Sequence, residues 1–594
     1  MKTNAAVKKN THKSSYEGRF RVVKAFMTLA FVSVCVGVGY LHFEDRTFLR
    51  NEGDKRTVRE EMVPAHRGII FDRNGRPLAV STPVTSIWIN PQILKDQQKD
   101  WPQLAQALGM STAKLSEKVR LNGRKEFLYL RRQLDPDEGQ KILNLGISGV
   151  YGQLEYRRYY PAGQVASQLV GLTGIDDNGQ EGIELALESW LTGVPGETRV
   201  IKDRKGQMIR EPDVLKSAEP GQEVNLSIDL RLQYLAYREL SKAVQTHKAK
   251  AASLVMLDVQ TGEVLAMVNL PTFNPNNRTN LNAAAMRNRA ITDQFEPGSV
   301  IKPFAIAAAL ESGSYQPDST IRVSPGRLRI GKDTVSDPRD YGTLDLASIL
   351  AKSSNVGMSK MALDIGAETV VSMYQRVGFG QYTGVMFPGE SVGIIPFRRK
   401  WQPIETASLS YGYGITVTTL QLAQAYGVLA NKGVIMPVSV IKRDAPETGR
   451  QVMSAEVADA VLKMMETVTS NKGTARRARV EGYQVAGKTG TSKKLEAGGY
   501  SNSNYISLFA GVAPADNPRV AAVIMVDGAS AGRFYGGIVA APVFSKVVAE
   551  AMRVLGVIPD NVQQTVAASS GSDAKSDTRS DTRSDTRSDK SVRN

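Results

Sequence analysis

Apolar and polar positions change rhythm several times along the 594 residues. The first pattern is an almost unbroken apolar run, Ala25 to Phe43. At about 1.5 Å per residue a helix of that length spans roughly 28 Å, one hydrocarbon core. Because the run is apolar on every face, it predicts a transmembrane helix rather than a core helix. Residues 1–24 are polar and carry Lys2, Lys8, Lys9, Lys13, Arg19, Arg21 and Lys24 against one acid, Glu17. Positive residues stay on the cytoplasmic side, so this arm is expected inside and everything after Asp45 outside. A cleaved signal peptide would need a small-residue cleavage site, and none follows.

From residue 46 to 222 the pattern is mixed and polar. Arg67-Gly68-Ile69-Ile70-Phe71-Asp72-Arg73-Asn74-Gly75 has strand-like flanks and a tight-turn signal, which an Asp72–Arg73 ion pair is expected to hold. A helical pattern covers Glu184–Leu191. No nucleophile–base pair occurs in this stretch, and it is read as an elongated, mixed, non-catalytic platform. From residue 223 to 562 the periods are clearer. A helical pattern runs from Leu230 to Val244. Two apolar runs flank Gln260-Thr261-Gly262, the signal of an antiparallel hairpin. Helical patterns dominate 344–429, strands return at 483–491, 507–513 and 520–527, and a helix is expected over 542–555. Strands drawn from both ends of a region with a helical middle predict an α+β domain: an antiparallel sheet with helices on both sides and a helical subdomain. Residues 563–594, with Ser-Asp-Thr-Arg repeated from Ser576, offer no apolar face and read as a disordered tail.

Charge and rare residues narrow the chemistry. The net charge of +16 suits an anionic surface or acidic polymer. The basic residues are interspersed with acids, which argues against a nucleic-acid groove. Four histidines, no zinc-ligand spacing and no phosphate loop point away from a metal or cofactor. The single cysteine, Cys35, excludes an intrachain disulfide.

Ser-x-x-Lys occurs at Ser111–Lys114, Ser299–Lys302, Ser439–Lys442 and Ser572–Lys575. Ser111 reads as a helix cap and Ser572 lies in the tail. Ser299 differs because a Pro297-Gly298 turn precedes it and an apolar run, Val300 to Leu310, follows, with Gly313 as the stop. The pattern places a hydroxyl at a helix start with the Lys302 amine on the same face, and a serine nucleophile needs such a base beside it. Two further signals follow in order. Ser353-Ser354-Asn355 opens a helical run, putting a hydroxyl and a carboxamide in one turn. Lys488-Thr489-Gly490-Thr491 lies on an expected strand, where Gly490 would admit a substrate backbone. Tyr411–Gly414 reads either as a packing turn or as part of this group. The polar stretch Gly498–Asn504 reads either as a mobile loop over a cleft or as a connector.

These three motifs in this order resemble those of the penicillin-binding proteins, serine active-site acyl transferases. With a membrane anchor and a platform before the catalytic domain, the layout is that of the class B members. Phe295–Pro303, Ser353–Gly357, Ser410–Gly414 and Lys488–Thr491 look closest to the septal cell-division branch of Gram-negative bacteria, the FtsI type, and Asn355 stands where elongation members tend to carry aspartate. The resemblance implies a peptidoglycan D,D-transpeptidase, inhibited by β-lactams, acting on stem peptides that end in D-Ala-D-Ala. In that scheme Ser299 is the nucleophile, Lys302 its base and Ser353 a proton relay. Asn355, Lys488, Thr489, Gly490 and Thr491 form the substrate-binding set, with the Ser299 and Thr491 N–H groups as oxyanion hole. It also implies division-site membrane partners, including a lipid-linked glycan polymerase of the FtsW type. A D,D-carboxypeptidase, with water resolving the acyl-enzyme, and a non-catalytic division scaffold or β-lactam receptor are the competing readings.

Overall fold

A computed structural model of the chain describes residues 13–560, apart from 45, 203–207, 280 and 497–498. The expected tail therefore lies outside the described residues, and the basic arm is described only from Lys13. One continuous helix runs Lys13–Phe43. Its Glu17–Phe43 portion is long and apolar enough to cross a membrane, and Phe26, Leu29, Phe31 and Val34 are all exposed along it. This fits a single-pass anchor.

The remaining residues form two compact units. One comprises the described residues up to 65 together with 84–155 and 194–219. It holds an antiparallel sheet of Val58–Val63, Gly196–Lys202 and Met208–Lys216, and a separate small core around Ile87, Leu94, Trp101 and Leu115. Here Ser111 caps the helix Thr112–Leu121, its Oγ accepting from Lys114 N at 3.3 Å, so this Ser-x-x-Lys is a cap as its sequence suggested.

The second unit gathers 66–83, 156–193 and the residues from 220 onward. Its amino-terminal segments are fastened by buried charge. Arg67 Nε donates to Glu184 Oε2 at 2.8 Å and Arg158 Nε to Glu184 Oε1 at 2.6 Å, while Arg67 Nη2 reaches Glu188 at 2.8 Å. The Arg67, Arg158 and Glu184 side chains are at most 2% exposed. Carbonyls and hydroxyls take the remaining guanidinium protons: Asp177 O, Thr192 Oγ1, Gly68 O and Ser81 Oγ. A buried charge cluster is tolerated only when satisfied in this way. The turn beyond it departs from expectation. Asp72 does not pair with Arg73. Its Oδ1 accepts from the backbone N–H groups of Asn74 and Arg76, and its Oδ2 from Leu230 N. Arg73 reaches Glu263 instead, at 3.3 Å. A carboxylate on a turn satisfies backbone donors that sequence spacing does not reveal. The helical pattern at 184–191 is broken into two short helices, Gly182–Ala186 and Glu188–Leu191.

From residue 230 the chain builds the catalytic scaffold. Helix α1 (Leu230–His247) leads into the hairpin β1 (Ala251–Asp258) and β2 (Val264–Leu270). Next come α2 (Lys302–Glu311), α3 (Leu346–Lys352), α4 (Asn355–Ile365), α5 (Thr419–Ala430) and α6 (Ala455–Thr469). Strands β3 (Ala486–Glu496), β4 (Gly499–Ala513) and β5 (Val520–Asp527) and helix α7 (Ala541–Val554) close the domain. The sheet is fully antiparallel in the order β2-β1-β5-β4-β3. Every residue of β1 and β2 is buried, because α1 and α7 cover one face of the sheet while α5 and α6 cover the other. This is the expected α+β design. The 498–504 stretch is neither a free loop nor a connector where it is described. It continues the β3–β4 hairpin, Leu495 pairing with Tyr500 and Glu496 with Gly499.

Replacing Glu184 by alanine is expected to cost about 3–5 kcal/mol, because two buried guanidinium groups lose their partner. The check is the urea midpoint of the full chain, which should fall clearly; an unchanged midpoint would contradict the reading of the cluster.

Candidate active site

Sequence dictates how the three motifs meet. Residues 302–310 of α2 are all buried, the apolar run 303–310 taking Lys302 inside with it, and Pro303 sits in its first turn where the missing N–H costs nothing. The turn Gly298–Ile301 precedes it as a tight 3₁₀ turn carrying Ser299. Gly298 has φ +54° and its N–H donates to Gly412 O at 3.1 Å. A Cβ on Gly412 (φ +88°) would lie 2.2 Å from Gly298 O. Tyr411–Gly414 is thus a packing turn beneath the nucleophile turn. From above, Tyr426 hydroxyl donates to Val300 O at 2.8 Å.

Strand β3 lies against the same turn. A Cβ on Gly490 would come within 2.9 Å of Val300 Cγ1 and 3.1 Å of Pro297 O. The glycine was expected to admit a substrate backbone; what it admits is the nucleophile turn itself. Ser492 hydroxyl completes the seam, donating to Glu296 O at 2.9 Å.

Between α2 and β3 stands Ser353, the residue that caps the end of α3, in the left-handed region at φ 58°. A non-glycine residue there costs on the order of 1–3 kcal/mol and persists only where its surroundings enforce it. The conformation turns both its carbonyl and its hydroxyl toward Lys302. Lys302 Nζ donates to Ser353 O at 2.7 Å, to Asn355 Oδ1 at 2.7 Å and to Ser353 Oγ at 3.2 Å. Lys488 Nζ approaches the same Oγ at 3.1 Å and donates to Thr489 O at 3.0 Å. One hydroxyl therefore bridges two amines, and both lysines are fully buried. Burial pushes Lys302 well below its ordinary range; the neighbouring Lys488 lowers it further, and Asp337 acts in the opposite direction. Burial alone brings Lys488 down to about 7.

Ser299 is half-buried and faces a cleft of about 840 Å³, which is also lined by Ser353, Asn355, Thr489, Gly490 and Thr491. The eight residues singled out from sequence thus converge: six on the cleft wall, Lys302 and Lys488 directly behind Ser353. Among the described residues no hydrogen bond joins Ser299 Oγ to Lys302, whose amine is held by Ser353 and Asn355. Thr491 Oγ1 accepts from Gly536 N at 3.1 Å, and Thr489 Oγ1 shares a hydrogen with Thr474 Oγ1 at 2.9 Å.

Two acids at the site went unread in the sequence. Asp337 holds the Ser353–Asn355 turn: Oδ1 accepts from Asn355 N at 2.6 Å and Val356 N at 3.1 Å, Oδ2 from Ser354 Oγ at 2.5 Å. The helix cap is consequently Ser354, whose Oγ also accepts from Gly357 N, and Ser353 and Asn355 stay free to face the lysines. Glu296, next to the nucleophile turn, accepts from Gly414 N and from Tyr500 hydroxyl, and burial raises its pKa. Neither acid is marked by spacing. The one local signal is that Asp337 precedes Pro338, a dipeptide that favours a turn.

Known proteins match both this geometry and the chain around it. The family model of the penicillin binding protein transpeptidase domain matches residues 252–549, and that of the penicillin-binding protein dimerisation domain matches 62–226. The chain is 43% identical over 551 residues to a probable peptidoglycan D,D-transpeptidase, PbpC, of Pseudomonas aeruginosa, covering 93% of this chain and 98% of that one. It is 40% identical over 564 residues to the peptidoglycan D,D-transpeptidase FtsI of Escherichia coli, covering 94% and 95%. Among solved structures, the transpeptidase domain of Burkholderia pseudomallei penicillin-binding protein 3 is 39% identical with a TM-score of 0.52, covering 56% of this chain and 97% of that one. Penicillin-binding protein 3 of Mycobacterium tuberculosis, complexed with aztreonam, is 29% identical with a TM-score of 0.66, covering 84% and 98%. The chain belongs to the class B penicillin-binding proteins. Within that class it is a serine-type D,D-transpeptidase.

Asp337→Ala should slow acylation by penicillin about 100-fold, the usual effect of a displaced catalytic group, with little change in fold. Stopped-flow acylation checks this; a rate equal to that of the unmodified protein would show that Asp337 positions nothing.

Proposed function

We propose that the protein cross-links peptidoglycan stem peptides at the division septum. In this reading it is held by its amino-terminal helix in the inner membrane, amino end cytoplasmic and catalytic domain periplasmic. The observation that carries the chemistry is the Ser353 hydroxyl bridging Lys302 and Lys488 beside Ser299. A lysine with an ordinary pKa near 10.4 is almost wholly charged at neutral pH and takes no proton. Burial and the second amine favour the neutral form of Lys302, so it can accept the Ser299 proton as Oγ attacks the penultimate carbonyl of D-Ala-D-Ala. Ser353, in contact with both amines, passes that proton to the departing D-alanine nitrogen. Asn355, fixed by Lys302, holds the substrate amide. Thr489 and Thr491, on the cleft wall, take the terminal carboxylate; Lys488, expected to bind substrate with them, is buried behind Ser353 and acts through that hydroxyl, and Gly490 keeps their strand against the nucleophile. The N–H groups of Ser299 and Thr491 stabilise the oxyanion, each such donor being worth about 3–4 kcal/mol. An amine from a second stem peptide then resolves the acyl-enzyme and forms the cross-link. A β-lactam, mimicking the dipeptide, acylates Ser299 and stays.

The proposed domain layout is an arm (1–24), a membrane helix (25–43), a platform (46–222), a transpeptidase domain (223–562) and a tail (563–594). Support for the septal assignment comes from the likeness to the Escherichia coli protein over nearly the whole chain, and from Asn355. Division-site membrane proteins, including a lipid-linked glycan polymerase of the FtsW type, are the partners this role requires.

Incubation with benzylpenicillin should add the mass of one penicilloyl group, mapped to the Ser299 peptide, and Ser299→Ala should abolish the adduct. Because Lys302 must be neutral to act, the acylation rate should rise with pH along a limb lying far below 10.5 and be flat above it. An adduct that persists in Ser299→Ala, or a rate still rising at pH 10, would refute the assignment.

A further inference from the structure

The cleft has a wall that the acylation chemistry leaves unused. Beside Thr489, the segment 473–479 lines the cleft with Arg476, Arg477 and Arg479, and Lys352 faces it from the end of α3. No aspartate or glutamate lines this cleft among the described residues. The segment is anchored rather than loose. Ala475 and Ala478 are buried, Arg479 Nε donates to Thr469 O at 2.7 Å, Lys352 Nζ to Lys472 O at 3.0 Å, and Thr474 is bonded to Thr489. Arg476 and Arg477 are exposed and have neither a carboxylate nor a hydrogen-bond partner among the described residues. Four cations on a cleft lined by no carboxylate repel one another, an arrangement that an anionic ligand relieves.

Position identifies which ligand. Acylation expels an amine whose α-carboxylate lies at Thr489 and Thr491. Resolution by a second amine follows the same path in reverse, so the incoming nitrogen takes the departed nitrogen's place and its substituents lie where D-alanine lay. The arginine segment adjoins that position in the cleft, Thr474 being bonded to Thr489 at 2.9 Å, so a substituent longer than alanine has these cations beside it. We propose that Arg476 and Arg477, supported by Arg479 and Lys352, form an acceptor subsite that selects amines bearing a carboxylate beyond the one Thr489 and Thr491 bind, as on an acidic stem peptide. The assignment rests on the D,D-transpeptidase reading and extends it to the second substrate. In the step itself, the acceptor nitrogen bonds to the acyl carbon, the ester bond to Ser299 Oγ breaks, and the proton released by nitrogen returns to Ser299 Oγ. The arginines touch only the carboxylate, so they set specificity and leave bond making to the lysines.

The test offers the full-length enzyme, acylated by a thioester donor, D-glutamate or D-glutamine as acceptor. The two differ by one side-chain charge and little in shape. The enzyme should prefer D-glutamate about 10-fold in kcat/KM, as expected for charge-assisted contacts, and lose the preference at high salt. Arg476→Gln with Arg477→Gln should bring the ratio near one, through KM for D-glutamate, whereas Arg476→Lys with Arg477→Lys should retain most of it. Both acceptors resolve the same acyl-enzyme, so the ratio does not depend on how much of a variant is folded. A wild-type ratio near or below one, or a ratio unchanged in the glutamine variant, overturns the acceptor assignment alone. A wild-type protein that penicillin does not acylate overturns the transpeptidase reading beneath it.

Discussion

Two lysines buried against one serine hydroxyl are the constraint on which the rest of the catalytic unit depends. Water would keep both amines charged, and at a separation bridged by a single oxygen they would repel. The fold removes the water by placing Lys302 at the start of a helix buried on every side and Lys488 within a strand covered by α6. It then gives the amines oxygen partners and no carboxylate in direct contact: Ser353 O and Oγ, Asn355 Oδ1 and Thr489 O. A carboxylate bonded to Lys302 would have stabilised the charged form and removed the base. Asp337 is kept one layer back, where it fastens the turn but leaves the lysine to neutral partners.

Several otherwise unconnected features serve this arrangement. Ser353 is left-handed, and in that conformation its carbonyl and hydroxyl both meet the Lys302 amine. Gly412 and Gly490 are glycines because a Cβ on either would press into the nucleophile turn, and Gly298 because its backbone is left-handed at φ +54°. The β3–β4 hairpin carries Lys488 to the nucleophile and returns Tyr500 to Glu296, next to Ser299 in sequence. The nucleophile turn is thus held from below by Gly412, from the side by β3 and from above by Tyr426, while Ser299 alone faces the cleft.

Much of this was legible in the sequence, for identifiable reasons. The three motifs are local, and each falls on an element with a strong period or a clear breaker: the Pro297-Gly298 turn and the apolar run from Val300, the helical run that Ser353-Ser354-Asn355 opens, and the strand around Lys488. The membrane helix and the β1–β2 hairpin were equally plain. What escaped depends on distant partners. Asp72 resembled half of an ion pair, yet it caps backbone N–H groups, including Leu230's far along the chain. Asp337 and Glu296 have no spacing that announces a site, because their partners are backbone atoms brought near by folding. The 498–504 stretch read as a mobile loop or a connector because it is polar, but from Gly499 onward register with β3 makes it strand. Arg67 gave no sign of its buried cluster, since Arg158, Glu184 and Glu188 are far off in sequence.

The central claim is that two lysines share one hydroxyl in a site that denies them charge. Titrating lysine side chains by NMR in protein labelled at the lysine ε position tests it most directly. Two resonances should titrate well below 10.5, one of them near 7, with one lost in Lys302→Met and the other in Lys488→Met. If every lysine titrates near 10.5, the amines are not desolvated and the account of the base is contradicted.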